Sequence, residues 1–410
     1  MSKKILIVGA GEAQLNLMHE AKELGYKIIG CDLRHDTEAE RISDKFFHVN
    51  YMDKEAVLKI AKDENVDGVI SNSEPAMITV NYVATCLGLP GNTVESTEIL
   101  MSKSKFRDLQ KKVGVFFPVH IVVDTEDEAV EKAKALKYPI IIKPVQSSGS
   151  RGTTRINEFN EKKISSAYKE CENFSRNNKV AIEEYVSMSD IRVNDADVFV
   201  LGDEFFWDGW LWEDRSLDKP MLPMCEIFPM AMPDVIKQEI MTIVEKILRG
   251  AGIRFGEFNM ESYYSPNGEL FVVEINPRQA GNEIPALICQ HTGVNLTKLL
   301  VSTCVNDMSY YNELKTFKRK NNYVTEQVVF PHKNGIFNSI YIDERIKPYV
   351  KKIDYEIQPG SKVVKSVNAA DAVAFVNMQF NDYEVQHYFT DQIEKFVYAE
   401  VDNLEKNFDY

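Results

Sequence analysis

Residues 255–281 read FGEFNMESYYSPNGELFVVEINPRQAG and carry the strongest structural signal in the chain. Two apolar-rich runs flank Ser-Pro-Asn-Gly at 265–268. This predicts two antiparallel strands joined by a tight turn, because Asn-Gly supplies the positive φ that such turns need. If Asn267 and Gly268 form the loop, Glu261 lies directly opposite Glu274. Pro266 favours a longer turn with a bulge, and an uncompensated slip of one residue would turn Glu274 to the other face.

The polar side chains of this hairpin are expected to share one face. Cross-strand partners point the same way, as do residues two apart on one strand, so Glu261, Glu274 and Asn276 converge. Two carboxylates and an amide are oxygen ligands that suit Mg²⁺. Arg278 is next in the alternation, and a guanidinium suits phosphate. Spacing alone equally allows a surface hairpin whose acids only provide solubility.

The composition is that of an ordinary globular protein. The chain has 410 residues, 44% hydrophobic and 27% charged, which predicts two to four structural units. A net charge of −14 argues against a nucleic-acid-binding surface over the whole protein. The six cysteines are scattered without a C-x-x-C pair, as in cytosolic proteins with free thiols. Because there is no apolar run of membrane-spanning length, we expect a cytoplasmic protein without membrane or nucleic-acid partners.

The first hundred residues alternate between apolar strands and helical patterns. Lys4–Val8 is a short apolar strand, a helix follows, and Lys27–Cys31 is a second strand, which predicts a parallel sheet with helices on both faces. The Gly9–Gly11 turn with Asp32 after the second strand looks like a dinucleotide fingerprint. The third glycine of that fingerprint is missing, since position 14 is Gln14, and a lone G-x-G is a weak signal.

Two lysines in the middle of the chain are candidates for phosphate binding. Lys103 begins a helix that ends before Gly114, and a solvated basic helix face would explain it equally. Lys143 follows the buried strand Ile140–Ile142, where a lysine is unfavourable unless it is paired. The small residues at 146–153 would let the backbone approach anionic oxygens, although such a run is often a plain hairpin tip.

Two further segments have open interpretations. Residues 206–232 hold all three tryptophans together with Glu213, Asp214 and Arg215, which fits either a pocket for an organic substrate or a core strand with polar ends. Beyond residue 315 we expect a smaller α+β unit with strands at 323–330, 335–340 and 362–367, and a helix at 382–398.

The run Glu-Ile-Asn-Pro-Arg after an apolar strand, with the two lysines and the Ser/Gly loop, resembles the ATP-grasp superfamily over most of the chain. The resemblance implies a Rossmann-like domain at 1–95, a two-lobed ATP-grasp domain at 96–315 with a mobile lid at 113–185, and a C-terminal α+β domain at 316–410. It implies ATP and Mg²⁺ as cofactors, with Mn²⁺ as a substitute.

The resemblance also assigns roles to individual residues. It implies Glu261, Glu274 and Asn276 as metal ligands and Arg278 as the catalytic cation. The implied ATP-binding residues are Lys103, Lys143, Ser148, Gly149, Ser150, Glu183, Glu184, Val186 and Asp190. Asp190 stands where the family commonly has a glutamate for the ribose, which puts that assignment in doubt. Gly281 and Asn282 are implied substrate contacts. Glu74 is a further candidate, because it lies just past the carboxyl end of a strand, where open α/β sheets bind ligands, although Ser73 beside it could simply cap a helix.

The implied activity is ligation of a carboxylate to an amine, with an amino-acid-like substrate and release of ADP and phosphate. A glycinamide-ribonucleotide-synthetase-like enzyme, a carboxylase-type enzyme and a non-catalytic ATP-binding regulatory protein are the alternatives. The partners would be the small-molecule carboxylate and amine, and a homodimer is compatible with this interpretation. The sequence names neither substrate.

Overall fold

The computed structural model describes residues 2–145, 152–175, 179–188, 192–215, 222–281, 283–367 and 369–403. Within them the chain builds four sheets. No helix of the described part is long and apolar enough to cross a bilayer.

The first sheet is parallel and has four strands in the order β3-β2-β1-β4. Its strands are β1 Lys4–Val8, β2 Lys27–Asp32, β3 Lys45–His48 and β4 Gly68–Ile70. The accompanying helices are α1 Leu15–Glu23, α2 Glu38–Ile42, α3 Lys54–Glu64, α4 Met77–Leu87 and α5 Val94–Met101. Alternate residues of β1 pack in different clusters on the two faces. The predicted β-α-β alternation is therefore confirmed.

A second, antiparallel sheet follows helix α6, which is Lys103–Val113 and ends at the left-handed Gly114. This sheet has the order β5-β8-β6-β7. Its strands are β5 His120–Val123, β6 Ile140–Pro144, β7 Thr154–Ile156 and β8 Val180–Glu184. Helices α7 (Glu126–Ala133) and α8 (Glu161–Phe174) cover it with a shared apolar cluster.

The largest sheet has eight strands in the order β13-β12-β9-β10-β11-β14-β18-β16. They are β9 Arg192–Leu201, β10 Glu204–Arg215, β11 Pro223–Phe228, β12 Phe255–Tyr264, β13 Leu270–Asn276, β14 Tyr323–Val329, β16 Val350–Tyr355 and β18 Ala374–Phe380. Helix α9 (Asp234–Gly250) packs on one face. On the other lie α10 Ile284–Thr292, α11 Leu296–Cys304 and α12 Ser309–Leu314. The last three strands lie beyond residue 315, so this sheet runs across the predicted boundary.

A small antiparallel sheet completes the described fold in the order β17-β15-β19. Its elements are β15 Gly335–Ile342, β17 Lys362–Val363 and β19 Val397–Asp402, and helix α13 is Tyr383–Thr390. The helix predicted for 382–398 was therefore wrong in its second half. That half contains a short 3₁₀ turn and the start of β19, whose residues alternate between buried and exposed.

The tryptophans of strand β10 are partly buried and pack against the apolar core. Trp207 and Trp210 stack with their ring centroids 4.9 Å apart, and the Trp207 indole donates to Glu245 of α9 at 3.1 Å. Trp212 packs with the apolar cluster of the C-terminal strands. The core-strand interpretation is therefore right for the tryptophans.

Candidate functional site

A cavity of about 450 Å³ lies where the three larger sheets meet. Its walls contain most of the predicted site residues, namely Glu74, Lys103, Lys143, Glu183, Glu184, Val186, Glu261, Glu274, Asn276, Arg278 and Gly281. The predicted residues Ser148, Gly149, Ser150, Asp190 and Asn282 lie outside the described residues. Residues from positions 74 to 281 in the sequence therefore converge on one cavity.

The hairpin of β12 and β13 has the predicted pairing at its polar end, with Glu261 directly opposite Glu274. The turn is longer than a two-residue loop, because Ser265 pairs with Glu269 through its backbone N–H at 2.9 Å. A bulge at Val273 compensates for this slip, since Ser262 pairs with Val272 while Glu261 pairs with Glu274. The hairpin therefore has the longer turn that Pro266 favours, and Glu261 and Glu274 still face each other.

Helix α6 holds the bulge in place. The Arg107 guanidinium donates to the Val273 carbonyl at 3.0 Å, and the Gln110 amide donates to the Val272 carbonyl at 2.9 Å. Both donors are almost completely buried. Carbonyls that a bulge removes from the strand ladder need such partners, so this helix fixes the register that brings Glu274 opposite Glu261.

The side chains at the polar end of the hairpin form a set of oxygen donors. Asn276 Nδ2 lies 3.2 Å from Glu274 Oε1 and 3.3 Å from Asn259 Oδ1, which leaves the Asn276 amide oxygen available. Arg215 Nη2 donates to Glu261 Oε2 at 3.0 Å. Among the described residues, no group of three or more His, Cys, Asp and Glu side chains is arranged to hold a metal. A cation here would therefore depend on two carboxylates, the amide oxygen and ligands from outside the protein.

The two hairpin acids have different electrostatic environments. Burial raises the pKa of Glu261 to about 7, an effect that Arg215 opposes and Glu274 reinforces. Burial also acts on Glu274, but Lys103 and the Asn276 amide outweigh it, so the pKa of Glu274 falls below its ordinary value. Cation binding at Glu261 near neutral pH would consequently release a proton.

Lys143 lies near the end of strand β6 and belongs to a buried network of ion pairs. Its ammonium pairs with one oxygen of Glu183, and Arg107 Nε donates to the other oxygen at 3.2 Å. Burial, together with Arg107 and Lys103, lowers the pKa of Lys143 to about 8. Burial alone would raise the pKa of Glu183, but the two cations bring it down to about 2. Glu183 is thus a buried partner of Lys143 and does not lie at a solvated end of its strand.

Arg107 is a residue of this site that the sequence analysis does not identify. Lys103 and Arg107 are four residues apart on α6, so they share one helix face. Lys103 Nζ lies 4.0 Å from Glu274 Oε2, while Arg107 reaches Glu183 and the bulge. The i, i+4 spacing is the available signal, and it cannot reveal partners on strands far along the chain.

Part of the cavity lining is apolar. Ile141, Tyr185, Val186 and Phe271 line it, and the Tyr263 hydroxyl donates to the Val186 carbonyl at 2.8 Å. Glu184 accepts the Lys137 backbone N–H at 2.9 Å. Apolar walls beside backbone polar groups suit a flat heterocyclic base.

The cavity is also lined by charged residues that sequence reasoning did not assign to the site. They are Asp195 of β9 and Glu213 and Arg215 of β10. Glu213 and Arg215 were noticed in the tryptophan-rich segment, but Asp195 carried no signal of its own. Ser73 makes no side-chain capping bond, so capping does not explain the segment around Glu74.

The dinucleotide alternative is not supported by the first sheet. Arg34 donates to both oxygens of Asp32, at 2.9 and 2.8 Å, so the acid that would hold a ribose is already paired. A Cβ on Gly11 would come within 2.0 Å of the Arg34 guanidinium, which therefore covers the glycine turn.

Comparison with known proteins gives a consistent result. Residues 108–292 match the model of the ATP-grasp domain. The formate-dependent phosphoribosylglycinamide formyltransferase of Prochlorococcus marinus subsp. pastoris is 32% identical over 159 residues, which are 38% of this chain and 40% of that protein.

Solved structures match over nearly the whole chain. The L-amino acid ligase from Bacillus licheniformis aligns with a TM-score of 0.81 and 18% identity, covering 98% of this chain and 99% of the ligase. The phosphoribosylglycinamide synthetase from Anaerococcus prevotii aligns with a TM-score of 0.73 and 19% identity, covering 98% of this chain and 100% of the synthetase. At these identities the matches show the fold. The chain spans between 30% and 65% of the length of the first four curated relatives.

Proposed function

From the match of residues 108–292 to the ATP-grasp domain, we propose that this chain is an ATP-dependent ligase that joins a carboxylate to an amine and releases ADP and phosphate. The observation that carries this proposal is the convergence of two acids, an amide and three cations in one cavity. The cations are Lys103, Lys143 and Arg278. The names of the relatives support ligation chemistry, and an amino-acid-like carboxylate is the substrate class that we favour.

The donor set fits Mg²⁺, with Mn²⁺ as a substitute. Glu261, Glu274 and the Asn276 amide would hold the ion, because hard cations prefer oxygen ligands and keep positions for phosphate oxygens. When bound, Mg²⁺ would offset the charge of the ATP phosphates. Manganese prefers the same oxygen ligands.

The residues of the chain bind and orient the reactants. A substrate carboxylate oxygen attacks the γ-phosphorus of ATP, the bond to ADP breaks, and an acyl phosphate forms. An amine nitrogen then attacks the acyl carbon, phosphate leaves, and the nitrogen loses a proton. Lys103 and Lys143 would hold the phosphates from two sides, while Arg278 faces the reacting group. The chain supplies position and fixed charge, and no side-chain nucleophile is needed.

Several subsidiary proposals accompany this one. Glu183 would act through Lys143, while Glu184 and Val186 would lie beside the base of ATP. The residues proposed to contact ATP also include Ser148, Gly149, Ser150 and Asp190. Glu74, Gly281 and Asn282 keep their proposed substrate contacts.

The sheets support domains at 1–95, 96–315 and 316–410 with a lid at 113–185, although the eight-stranded sheet joins the last two. We also propose a homodimer and the cytoplasm, where ATP is available and where the six free cysteines would stay reduced.

The competing function is a regulatory protein that binds ATP without turning it over. ADP release in the presence of Mg²⁺ and a panel of amino acids, singly and in pairs, separates the two. We expect ADP formation well above the rate without amino acids for at least one pair. Tight binding of ATP, with no carboxylate or amine raising ADP release above background, would favour the regulatory protein.

A further inference from the structure

The segment that follows strand β13 carries Arg278 to the cavity. The strand ends at Asn276, and the chain then crosses one face of the large sheet toward helix α10. Arg278, Ala280 and Gly281 of this segment line the cavity. Backbone groups that have left a strand ladder need new partners, so the contacts of the segment determine where the Arg278 guanidinium lies.

Asp197 on β9 holds the backbone of this segment. Its side chain is completely buried, and the Ala280 backbone N–H donates to both of its carboxylate oxygens, at 3.2 and 3.1 Å. The Asn259 backbone N–H donates to the Arg278 carbonyl at 3.0 Å. Hydrogen bonds to a carboxylate are stronger than those between neutral groups. The backbone is therefore held on both sides of the residue between Arg278 and Ala280.

Glu257 on the neighbouring strand β12 holds that residue, which is Gln279. Glu257 Oε2 accepts the Gln279 side-chain amide at 2.7 Å, and the same amide nitrogen donates to Thr297 of α11 at 3.0 Å. The Arg278 guanidinium in turn donates to the Gln279 carbonyl at 2.6 Å. Gln279 is buried, so the segment is fixed between the sheet and helix α11.

The two acids share one proton. Asp197 and Glu257 hydrogen bond to each other, which two carboxyl groups do only when one of them is protonated. No donor from elsewhere in the described part of the chain reaches Glu257 Oε1. A backbone N–H and an amide need only neutral acceptors, and burying two acids is costly. What the pair adds is a fixed acceptor with a single negative charge on two adjacent strands.

We propose that Asp197 and Glu257, together the clamp, are positioning residues that fix the Arg278 guanidinium at the cavity through Ala280 and Gln279. Neither acid lines the cavity, so both act through the segment. The inference rests on the proposed function, in which Arg278 faces the phosphoryl group that is transferred. A displacement of about 1 Å near the reacting atoms can cost about a hundredfold in rate, so the clamp should matter more for turnover than for binding of ADP.

Asp197→Ala tests the clamp in the full chain. Calorimetric titration with Mg²⁺ compares ADP with a non-hydrolysable ATP analogue, because the two differ by the γ-phosphate that Arg278 would contact. The unmodified protein should bind the analogue about tenfold more tightly, since this contact is charge-assisted. Asp197→Ala should lose the preference and keep its affinity for ADP. With amino acids that support ADP release, its kcat should fall about a hundredfold.

Conservative variants separate positioning from damage to the sheet. Asp197→Asn and Glu257→Gln each replace the shared proton with an amide hydrogen, so the total charge and the hydrogen bonds of the clamp are kept. Both should retain the preference for the analogue. Glu326→Ala is the matched control for loss of a buried acid, since Glu326 is buried on the same sheet and does not line the cavity. It should also keep the preference, and circular dichroism verifies the fold of each variant.

Gln279→Met is a second probe, used if Asp197→Ala does not fold. It removes the link to Glu257 and Thr297 and keeps a side chain of similar length. The preference for the ATP analogue should fall in this variant as well, because Gln279 is the part of the segment that Glu257 holds.

The outcomes separate the clamp from the ligase function. A preference retained in Asp197→Ala, or in Gln279→Met if the first variant does not fold, would overturn the clamp. So would a preference lost equally in Glu326→Ala or in the conservative variants, or equal affinity of the unmodified protein for both nucleotides. If the preferences change as expected while no substrate raises ADP release, the clamp stands and the ligase function fails. If amino acids raise ADP release equally in Asp197→Ala and Glu326→Ala, the ligase function stands and the clamp is refuted.

Discussion

At the scale of single residues, the site depends on acids and lysines that are stable only in one another's presence. Lys143 and Glu183 are both buried and are paired, and Lys103 lies beside Glu274. Lysines and acids that leave apolar strands in this way are unfavourable unless something of opposite charge meets them. The network therefore keeps the cations at fixed positions before ATP arrives, so that binding needs little rearrangement.

Glu274→Ala is the sharpest change at this scale. It removes a proposed metal ligand that is only partly buried, so we expect ATP turnover to fall by about a thousandfold while the fold is kept. ADP release and circular dichroism measure the two effects. Glu269→Ala in the exposed turn of the same hairpin is the control and should keep full activity. Turnover near that of the control in Glu274→Ala would refute the metal assignment.

At the scale of elements, helix α6 determines how the hairpin presents its acids. Arg107 connects the bulged strand β13 at Val273 to Glu183 of strand β8, and through Glu183 to Lys143. One buried guanidinium thus links the strand that carries Glu274 to Lys143. Arg107 is a positioning residue, since it acts through Glu183 and Val273.

Arg107→Met tests this coupling. The change leaves the Val273 carbonyl without its donor and Glu183 with one cation, so we expect a loss of about 3 kcal/mol in the free energy of unfolding. We also expect weaker binding of ADP with Mg²⁺. Urea unfolding and calorimetry measure these effects. Lys105→Met on the same helix removes only an exposed ion pair with Glu98 and should change stability by less than about 0.5 kcal/mol. Equal behaviour of the two variants would contradict the positioning role.

The elements also show what sequence can and cannot predict. The hairpin, the Lys143 strand and the parallel first sheet follow from local patterns of apolar residues and turns, and they are confirmed. The placement of Asp195 and Glu213 at the cavity does not follow from such patterns, because the two residues meet only through the order of strands in the large sheet. The tryptophan segment was ambiguous for a similar reason, since one strand places aromatic residues in the core and acids in the cavity.

At the scale of the whole molecule, the large sheet carries an unusual number of buried acids. Burial raises the pKa of Asp195, Glu226 and Glu257 well above the ordinary range, that of Glu261 to about 7 and that of Glu326 to about 8. The folded protein therefore binds more protons than the unfolded chain above the ordinary value of about 4.5. Stability contributed by these groups is present below that pH and is lost as the pH rises through their folded values.

We therefore predict that the melting temperature of the protein without ligands falls by about 4 °C or more between pH 5 and pH 8. Glu183 has the opposite effect on stability, because its pKa is lowered to about 2. The stability that it contributes is lost only as the pH falls below 4.5. Mg²⁺ with ADP should recover part of the loss at pH 8, since a cation offsets the ionised acids. Differential scanning calorimetry measures both effects. A melting temperature that rises or stays constant over this range would contradict the account.

The most direct measurement is a crystal structure of the chain with Mg²⁺ and a non-hydrolysable ATP analogue. The account predicts a metal ion at about 2.1 Å from oxygens of Glu261, Glu274 and Asn276, with phosphate oxygens completing its coordination and Lys103 and Lys143 beside the phosphates. A nucleotide bound elsewhere, or a metal held without these three side chains, would contradict it.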